Sequence, residues 1–257
     1  MRFSLLSPLD RLIAPPPAAE RVAFLGAQPY AHRGLHGGKI VENSRAAFNE
    51  AISRGLGIEL DVQAALGGDA YVFHDEALDR LTDESGFIAQ KVGSELDAIK
   101  LKGTQETIPS IATILHLVAE RVPILIEVKT KSRSVGTLCL AVRRALEGYR
   151  GQIAVMSFNP EVGRWFHEHA PRIVRGLVVT EEGKKGIKGR LERHLSLWRA
   201  RPDFLAYDIR DLPAAFPASQ RARGLKILTW TVRTAEQENV ALACADEMIF
   251  ERPSLLR

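Results

Sequence analysis

Cysteine is scarce in this chain: only Cys139 and Cys244 occur in 257 residues, far apart and in apolar surroundings. Two such residues match no metal, redox or disulfide-framework spacing, and read as buried free thiols in a reducing compartment. Long apolar runs are missing too. No stretch approaches the ~20 uncharged apolar residues of a membrane span, and in MRFSLLSPLDRLIAPPPAAERVAF the residues Asp10, Arg11 and Pro15-Pro16-Pro17 interrupt any signal-type apolar core. The expectation is a cytoplasmic protein without stable membrane insertion, residues 1–24 being an N-terminal lead-in. A short interfacial helix within residues 3–13 would need a strong polar face, which this stretch lacks. A concentrated basic tract is absent as well: 35 Lys and Arg against 31 Asp and Glu are spread along the chain, which argues little for nucleic acid as a partner. No solenoid-type repeat occurs.

What is present is ordinary for a globular chain, with 46% hydrophobic and 26% charged residues, enough to bury a full core. Short runs rich in Val and Ile recur between helical patterns, the signature of a parallel sheet with crossover helices. Strands are expected at 29–33, 57–63, 70–74, 123–129, 153–158, 174–179, 204–209 and 226–232, and eight of them point to an α/β fold of the (β/α)8 TIM-barrel type over residues 25–257. Ser44 is placed to cap a helix ending at Gly55, and Ser110 another carrying Ile111, Ile114, Leu115 and Val118 at helical spacing. Residues 134–147 carry Val135, Leu138, Cys139, Val142 and Leu146 on one stripe, and 189–200 carry Leu191, Leu195 and Trp198; both read as amphipathic cover helices. Between Asp75 and Pro109 the connection is too long for a βα loop, so residues 76–109 are expected to be an insertion forming a small lobe.

Polar groups gather at the strand ends. In GIELDVQ, Ile58, Leu60 and Val62 alternate with Glu59, Asp61 and Gln63, which puts both carboxylates on one side of a strand. PILIEVK repeats the pattern, with Glu127 and Lys129 opposite Ile124, Ile126 and Val128. YVFHD ends on His74 and YAHRG on His32, at what read as the carboxyl ends of strands one to four, where barrel enzymes build their sites. Several buried carboxylates without an equal number of Lys or Arg on the same strands cost several kcal/mol each, and a bound cation removes that cost. Three carboxylates and no cysteine ligand suit a hard divalent ion, Mg²⁺ or Ca²⁺, although the two nearby histidines leave zinc open.

The ordered set His32-Arg33-Gly34, Glu42-Asn43-Ser44 with Ala47-Phe48, Glu59-x-Asp61, His74-Asp75 with Leu78-x-Arg80-x-Thr82, Ile108-Pro109, Glu127-x-Lys129 and Trp230-Thr231-Val232 resembles the glycerophosphodiester phosphodiesterases. The resemblance runs from about residue 30 to Phe250-Glu251-Arg252-Pro253 and includes the insertion. It implies that Glu59, Asp61 and Glu127 hold a divalent metal and that His32 and His74 serve as acid and base. It further implies that Arg33 and Lys129 neutralise the phosphate, with Glu42 also at the substrate-binding site, and that Trp230 walls the pocket against the alcohol moiety. The family often has Pro-Glu-Asn-Thr where this chain has Val41-Glu42-Asn43-Ser44, and the preceding loop is slightly longer here; both bear on the leaving-group pocket. The activity implied is hydrolysis of a small-molecule glycerophosphodiester to an alcohol and glycerol 3-phosphate. Lipid-directed relatives of the lysophospholipase D or phospholipase C type, and a non-catalytic barrel binding anionic ligands, are the alternatives.

Other features carry less. TEEGKKGIKGR, residues 180–190, reads as a solvated loop rather than a headgroup-binding patch, since two acids offset its cations. His167 and His169, two apart on a helix, do not share a face. Ser157, Asn159 and Asp208 end strands and receive no role.

Overall fold

The computed structural model describes residues 7–251; Arg252 and Pro253, which close the family-like pattern, and the first six residues of the lead-in lie outside them. The chain divides into two compact units, one running from Tyr30 to Ile153 and the other combining the residues up to Pro29 with those from Ala154 onward. Residues of the expected lead-in thus form helices α1 (Ser7–Ile13) and α2 (Ala19–Val22) of the latter unit.

In the Tyr30–Ile153 unit, β1 (Tyr30–Ala31) is followed by α3 (Arg45–Ser53), β2 (Gly57–Ala64) and β3 (Ala70–Val72). Ser44 caps α3 as its side chain accepts from the Ala47 N–H at 3.1 Å. Then come α4 (Gly93–Leu96) inside the insertion, α5 (Ile111–Val118) capped by Ser110, β4 (Ile124–Val128) and α6 (Gly136–Ala145). β1 and β4 both pair with β2 in parallel, Tyr30 opposite Gly57 and Asp61 opposite Glu127.

β3 departs from the expected all-parallel order. It runs antiparallel to β2, with Val62 opposite Val72 and Ala64 opposite Ala70. The physical reason stands between the strands: a parallel return needs a crossover of a dozen or more residues, and only Ala65–Asp69 is available. Gly67 and Gly68, at φ 103° and 96°, make that turn a hairpin. Phe73 then donates its N–H to the Asp61 carbonyl at 3.0 Å, so His74 reaches Asp61 from a returning flap, not from the carboxyl end of a barrel strand.

The insertion has its own core. Leu78, Ile88, Leu96, Ile99, Leu101 and Ile108 pack with Ala65, Tyr71 and Phe73 of the hairpin. Tyr71 Oη reaches the Gly93 carbonyl at 2.9 Å and Asp97 at 3.0 Å, which ties α4 to β3.

From residue 153 onward the rhythm is regular: β5 (Ile153–Ser157), α7 (Pro160–His169), β6 (Val174–Val179), α8 (Ile187–Ala200), β7 (Phe204–Asp208), α9 (Ala215–Ala222), β8 (Lys226–Val232), α10 (Ala235–Cys244) and β9 (Glu247–Phe250). Each strand from β5 to β9 is parallel to the next. β9, and not β3, is the eighth parallel strand; its four residues beginning with Glu show no alternation in sequence. Eight parallel strands alternating with helices, plus β3, make the fold a (β/α)8 barrel with one extra strand.

α8 also corrects the sequence reading. Its buried face is Gly189, Arg193, His194, Leu197 and Ala200, whereas Leu191 and Leu195, expected on the covering stripe, are 48% and 51% exposed. Among the described residues no helix is long and apolar enough to cross a membrane.

Candidate active site

β1 ends at Ala31 and the chain turns at once. Arg33 and Gly34 take positive φ, 56° and 76°, and at Gly34 a Cβ would stand 2.8 Å from the Ala47 Cβ, so only glycine fits. The Gly34 N–H donates to the Ala31 and Glu59 carbonyls at 3.1 and 3.2 Å. This turn aims the Arg33 N–H at Glu59 Oε2, 2.9 Å away. Asn43, also at φ 56°, donates its own N–H to the Arg33 carbonyl at 2.8 Å. Non-glycine residues held in the left-handed region by surrounding bonds cluster at functional sites.

Glu59, Asp61 and Glu127 are buried, and their carboxylate oxygens lie within 4.8 Å of one another. Lys129 Nζ stands 3.0 Å from Asp61 Oδ1 and 2.7 Å from Glu127 Oε1. Arg33 Nε stands 3.3 Å from Asp61 Oδ2, its Nη1 donates to Glu42 Oε1 at 2.7 Å, and the Asn43 amide donates to Asp61 Oδ2 at 2.9 Å. His32 Nε2 lies 3.9 Å from Glu59 Oε2. His74 Nδ1 is 2.6 Å from Asp75 Oδ1, and the His74 carbonyl accepts from Gln63 Nε2 at 2.9 Å. Arg80, sent in by the insertion, donates to both Glu42 oxygens at 3.0 and 2.7 Å and to Asp75 through Nε.

The balance of charge within this cluster is unequal. Glu42, Glu59, Asp61, Asp75 and Glu127 face Arg33, Arg80 and Lys129, two more carboxylates than cations. The surplus concentrates at Glu59, whose Oε1 is buried without a hydrogen-bond partner. Burial, with Asp61 and Glu127 nearby, pushes the Glu59 carboxyl well above the usual range, and burial raises Glu127 too. Burial also works against Asp61, but Lys129 and Arg33 outweigh it and hold that carboxyl low. The Lys129 ammonium is raised by Asp61 and Glu127 against the cost of its own burial. Burial lowers His74, favouring the neutral imidazole. Crowded buried carboxylates are those a hard divalent cation would satisfy, and an all-oxygen donor set fits Mg²⁺ or Ca²⁺.

His32, Arg33, Glu42, Glu59, Asp61, His74, Glu127 and Lys129 therefore stand in one compact unit and in one network of contacts. Trp230 stands on β8, its Nε1 donating to the Ala206 carbonyl at 2.9 Å and its ring edge-to-face with Phe158 at 5.4 Å. Asn159 caps α7 and Asp208 accepts from Arg210. Residues without an assigned role enter the network: Asn43, Gln63, Asp75 and Arg80. Gln63 shares the Glu59-Asp61 alternation, a signal available in sequence; Arg80 stands in the family-like motif after His74-Asp75, but its contacts with Glu42 and Asp75 arrive only through the insertion's folding.

The model of the Glycerophosphoryl diester phosphodiesterase family matches residues 32–252. The chain belongs to that family. The glycerophosphodiester phosphodiesterase of Caldanaerobacter subterraneus is 29% identical over 241 residues, covering 88% of this chain and 94% of its own. Among solved structures, the Thermotoga maritima glycerophosphodiester phosphodiesterase superposes with a TM-score of 0.69 at 26% identity, covering 87% of this chain and 94% of that one. A phosphodiesterase of Oleispira antarctica, solved with the product sn-glycerol-3-phosphate, reaches a TM-score of 0.76 at 23% identity over 89% of this chain and 94% of that one. As a glycerophosphoryl diester phosphodiesterase family member, the chain is an enzyme of the phosphoric diester hydrolase class.

Proposed function

We propose that this enzyme hydrolyses glycerophosphodiesters to an alcohol and glycerol 3-phosphate with a divalent cation, Mg²⁺ or Ca²⁺, held by Glu59, Asp61 and Glu127. The observation that carries it is the unpartnered, buried Glu59 Oε1 within a carboxylate cluster two charges in excess of its cations. When bound, such an ion supplies Lewis-acid stabilisation of the nonbridging phosphate oxygens. Arg33 and Lys129 bind the phosphate and oppose its extra charge in the transition state. Glu42, clasped by Arg80, holds the Arg33 guanidinium in place.

Asp75 is kept ionised by Arg80 and His74 despite its partial burial, so its carboxylate only accepts, and the His74 Nδ1 carries the proton. That leaves His74 Nε2 with a free lone pair, the state of a general base, while His32 acts as the acid. His74 takes the proton of the glycerol 2-hydroxyl as its oxygen attacks phosphorus, and His32 protonates the departing alkoxide. Water then opens the cyclic phosphate by the reverse transfers. The Oleispira antarctica complex supports glycerol 3-phosphate as the product. For Trp230 the assignment to the alcohol moiety rests on the family pattern alone, and the cytoplasmic reading on the free cysteines.

The test uses chelator-treated protein with glycerophosphocholine, Mg²⁺ or Ca²⁺ added back, and glycerol 3-phosphate read by a coupled dehydrogenase. Restoration by metal is expected, with His32→Ala and His74→Ala about 10²–10⁴-fold slower and Glu59→Gln no longer restored. Full turnover in chelator, or a fully active Glu59→Gln, would sink the metal assignment.

A further inference from the structure

The exposed side of α8 has no role in the phosphodiesterase chemistry. Ile187, Leu191 and Leu195 recur every four residues, forming one stripe on the helix, and are 84%, 48% and 51% exposed. Neighbouring elements already occupy the other sides. Gly189, Arg193, Leu197 and Ala200 face the core, and a Cβ at Gly189 would run into the Lys184 carbonyl, so the β6–α8 loop closes over that turn. His194 Nδ1 and Trp198 Nε1 both hold Asp10 Oδ1 at 2.8 Å, which seats α1. Among the described residues the stripe stays exposed with these contacts made.

Charge decides what can cover it. Each acid of the segment is engaged: Glu181 with Arg193, Glu182 with Arg210 and Glu192 with Lys184. Lys185, Lys188 and Arg190 are exposed and form no ion pair among the described residues. Two acids offset the loop's cations in composition, but the folded chain spends those acids on other partners and leaves three cations beside three aliphatic side chains. Protein interfaces are depleted of lysine and enriched in aromatics, and this face has the opposite character. Aliphatics flanked by flexible cations suit the boundary between anionic headgroups and acyl chains.

We propose that the exposed face of α8, with Lys185, Lys188 and Arg190, docks the enzyme reversibly on an anionic bilayer surface. The full chain is sedimented with vesicles of phosphatidylcholine, with and without phosphatidylglycerol, at low and high salt. Salt-sensitive binding to the anionic vesicles is expected. Removing a cation costs about fivefold in partitioning at ~1 kcal/mol per charge, so K185E/K188E is expected to lose binding by well over tenfold, and I187S/L191S to lose it comparably. Leu242→Ser, an equally superficial change on α10, should leave binding intact, and all variants should retain glycerophosphodiester turnover in solution. Absence of wild-type binding, or binding that survives both α8 pairs, would overturn the proposal. Self-association abolished by I187S/L191S, without vesicle binding, would overturn it in favour of a second copy of the chain.

Discussion

Arg80 shows how one side chain can hold a site together without touching the carboxylates at its centre. It grips Glu42, which aligns Arg33, and Asp75, which orients His74. Arg80→Met should lower kcat/KM about tenfold, close to 1.4 kcal/mol of transition-state stabilisation. Its Tm should move little, because the side chain is 46% exposed and exposed ion pairs contribute little stability. A variant that loses Tm and activity in parallel would show a structural role instead. Gly34 acts through the backbone. Gly34→Ala places a methyl group against Ala47 and Phe48 at φ 76°, and should cost ~1–3 kcal/mol in urea unfolding; an unchanged midpoint would contradict the strained-turn account. At this scale the clustering of the candidate residues was largely readable, because carboxylates in alternation on strands leave a pattern in the sequence. Their partners Asn43, Asp75 and Arg80 stand in the same ordered motifs, but the contacts they make left no such pattern, since hydrogen bonds between loops follow from folding and not from spacing.

The insertion is the element on which Arg80 depends. Its core is small, so the fully buried Ile88 contributes a large share of it. Ile88→Ala should destabilise the insertion by ~2–5 kcal/mol. Amide hydrogen exchange within 76–109 is expected to accelerate while that of β6, β7 and β8 stays unchanged, and acceleration throughout the chain would mean the insertion does not open separately. All eight expected strands and the capped helices exist, because β-branched runs and Ser N-caps act locally. Strand direction was the failure: β3 has the composition of a barrel strand, and the five-residue glycine turn before it decided the pairing. α8 failed in the converse way, since its stripe of Leu191 and Leu195 has the right period but faces outward. Periodicity gives the existence of an apolar face and says nothing of what covers it.

Across the whole chain, one buried carboxylate joins distant segments. Asp10 accepts from His194, Trp198 and the Gln220 amide, the last 2.8 Å from Oδ2 and 210 residues away in sequence. Burial pushes its carboxyl up, but these bonds more than compensate, and its pKa lies below the ordinary value. A depressed carboxyl stabilises the fold at pH values above the unfolded value of ~3.9, and that stability is lost as pH falls through the folded value. Wild-type Tm should therefore drop below about pH 4, whereas Asp10→Asn should be less stable by ~1–3 kcal/mol at neutral pH and lack this part of the acid loss. Parallel pH profiles would exclude Asp10 as the source. Sequence by itself determined the class of fold and the family, and singled out the carboxylates that the structure brings together, because local periodicity and ordered motifs carry that information. Only the tertiary structure decided that β9 and not β3 completes the parallel strands, that Arg80 clasps Glu42 and Asp75, that Asp10 anchors α1, and that among the described residues α8 leaves an apolar face exposed. Each of those depends on which segments meet in space, and contact between residues far apart in the chain is set by the packing of the whole.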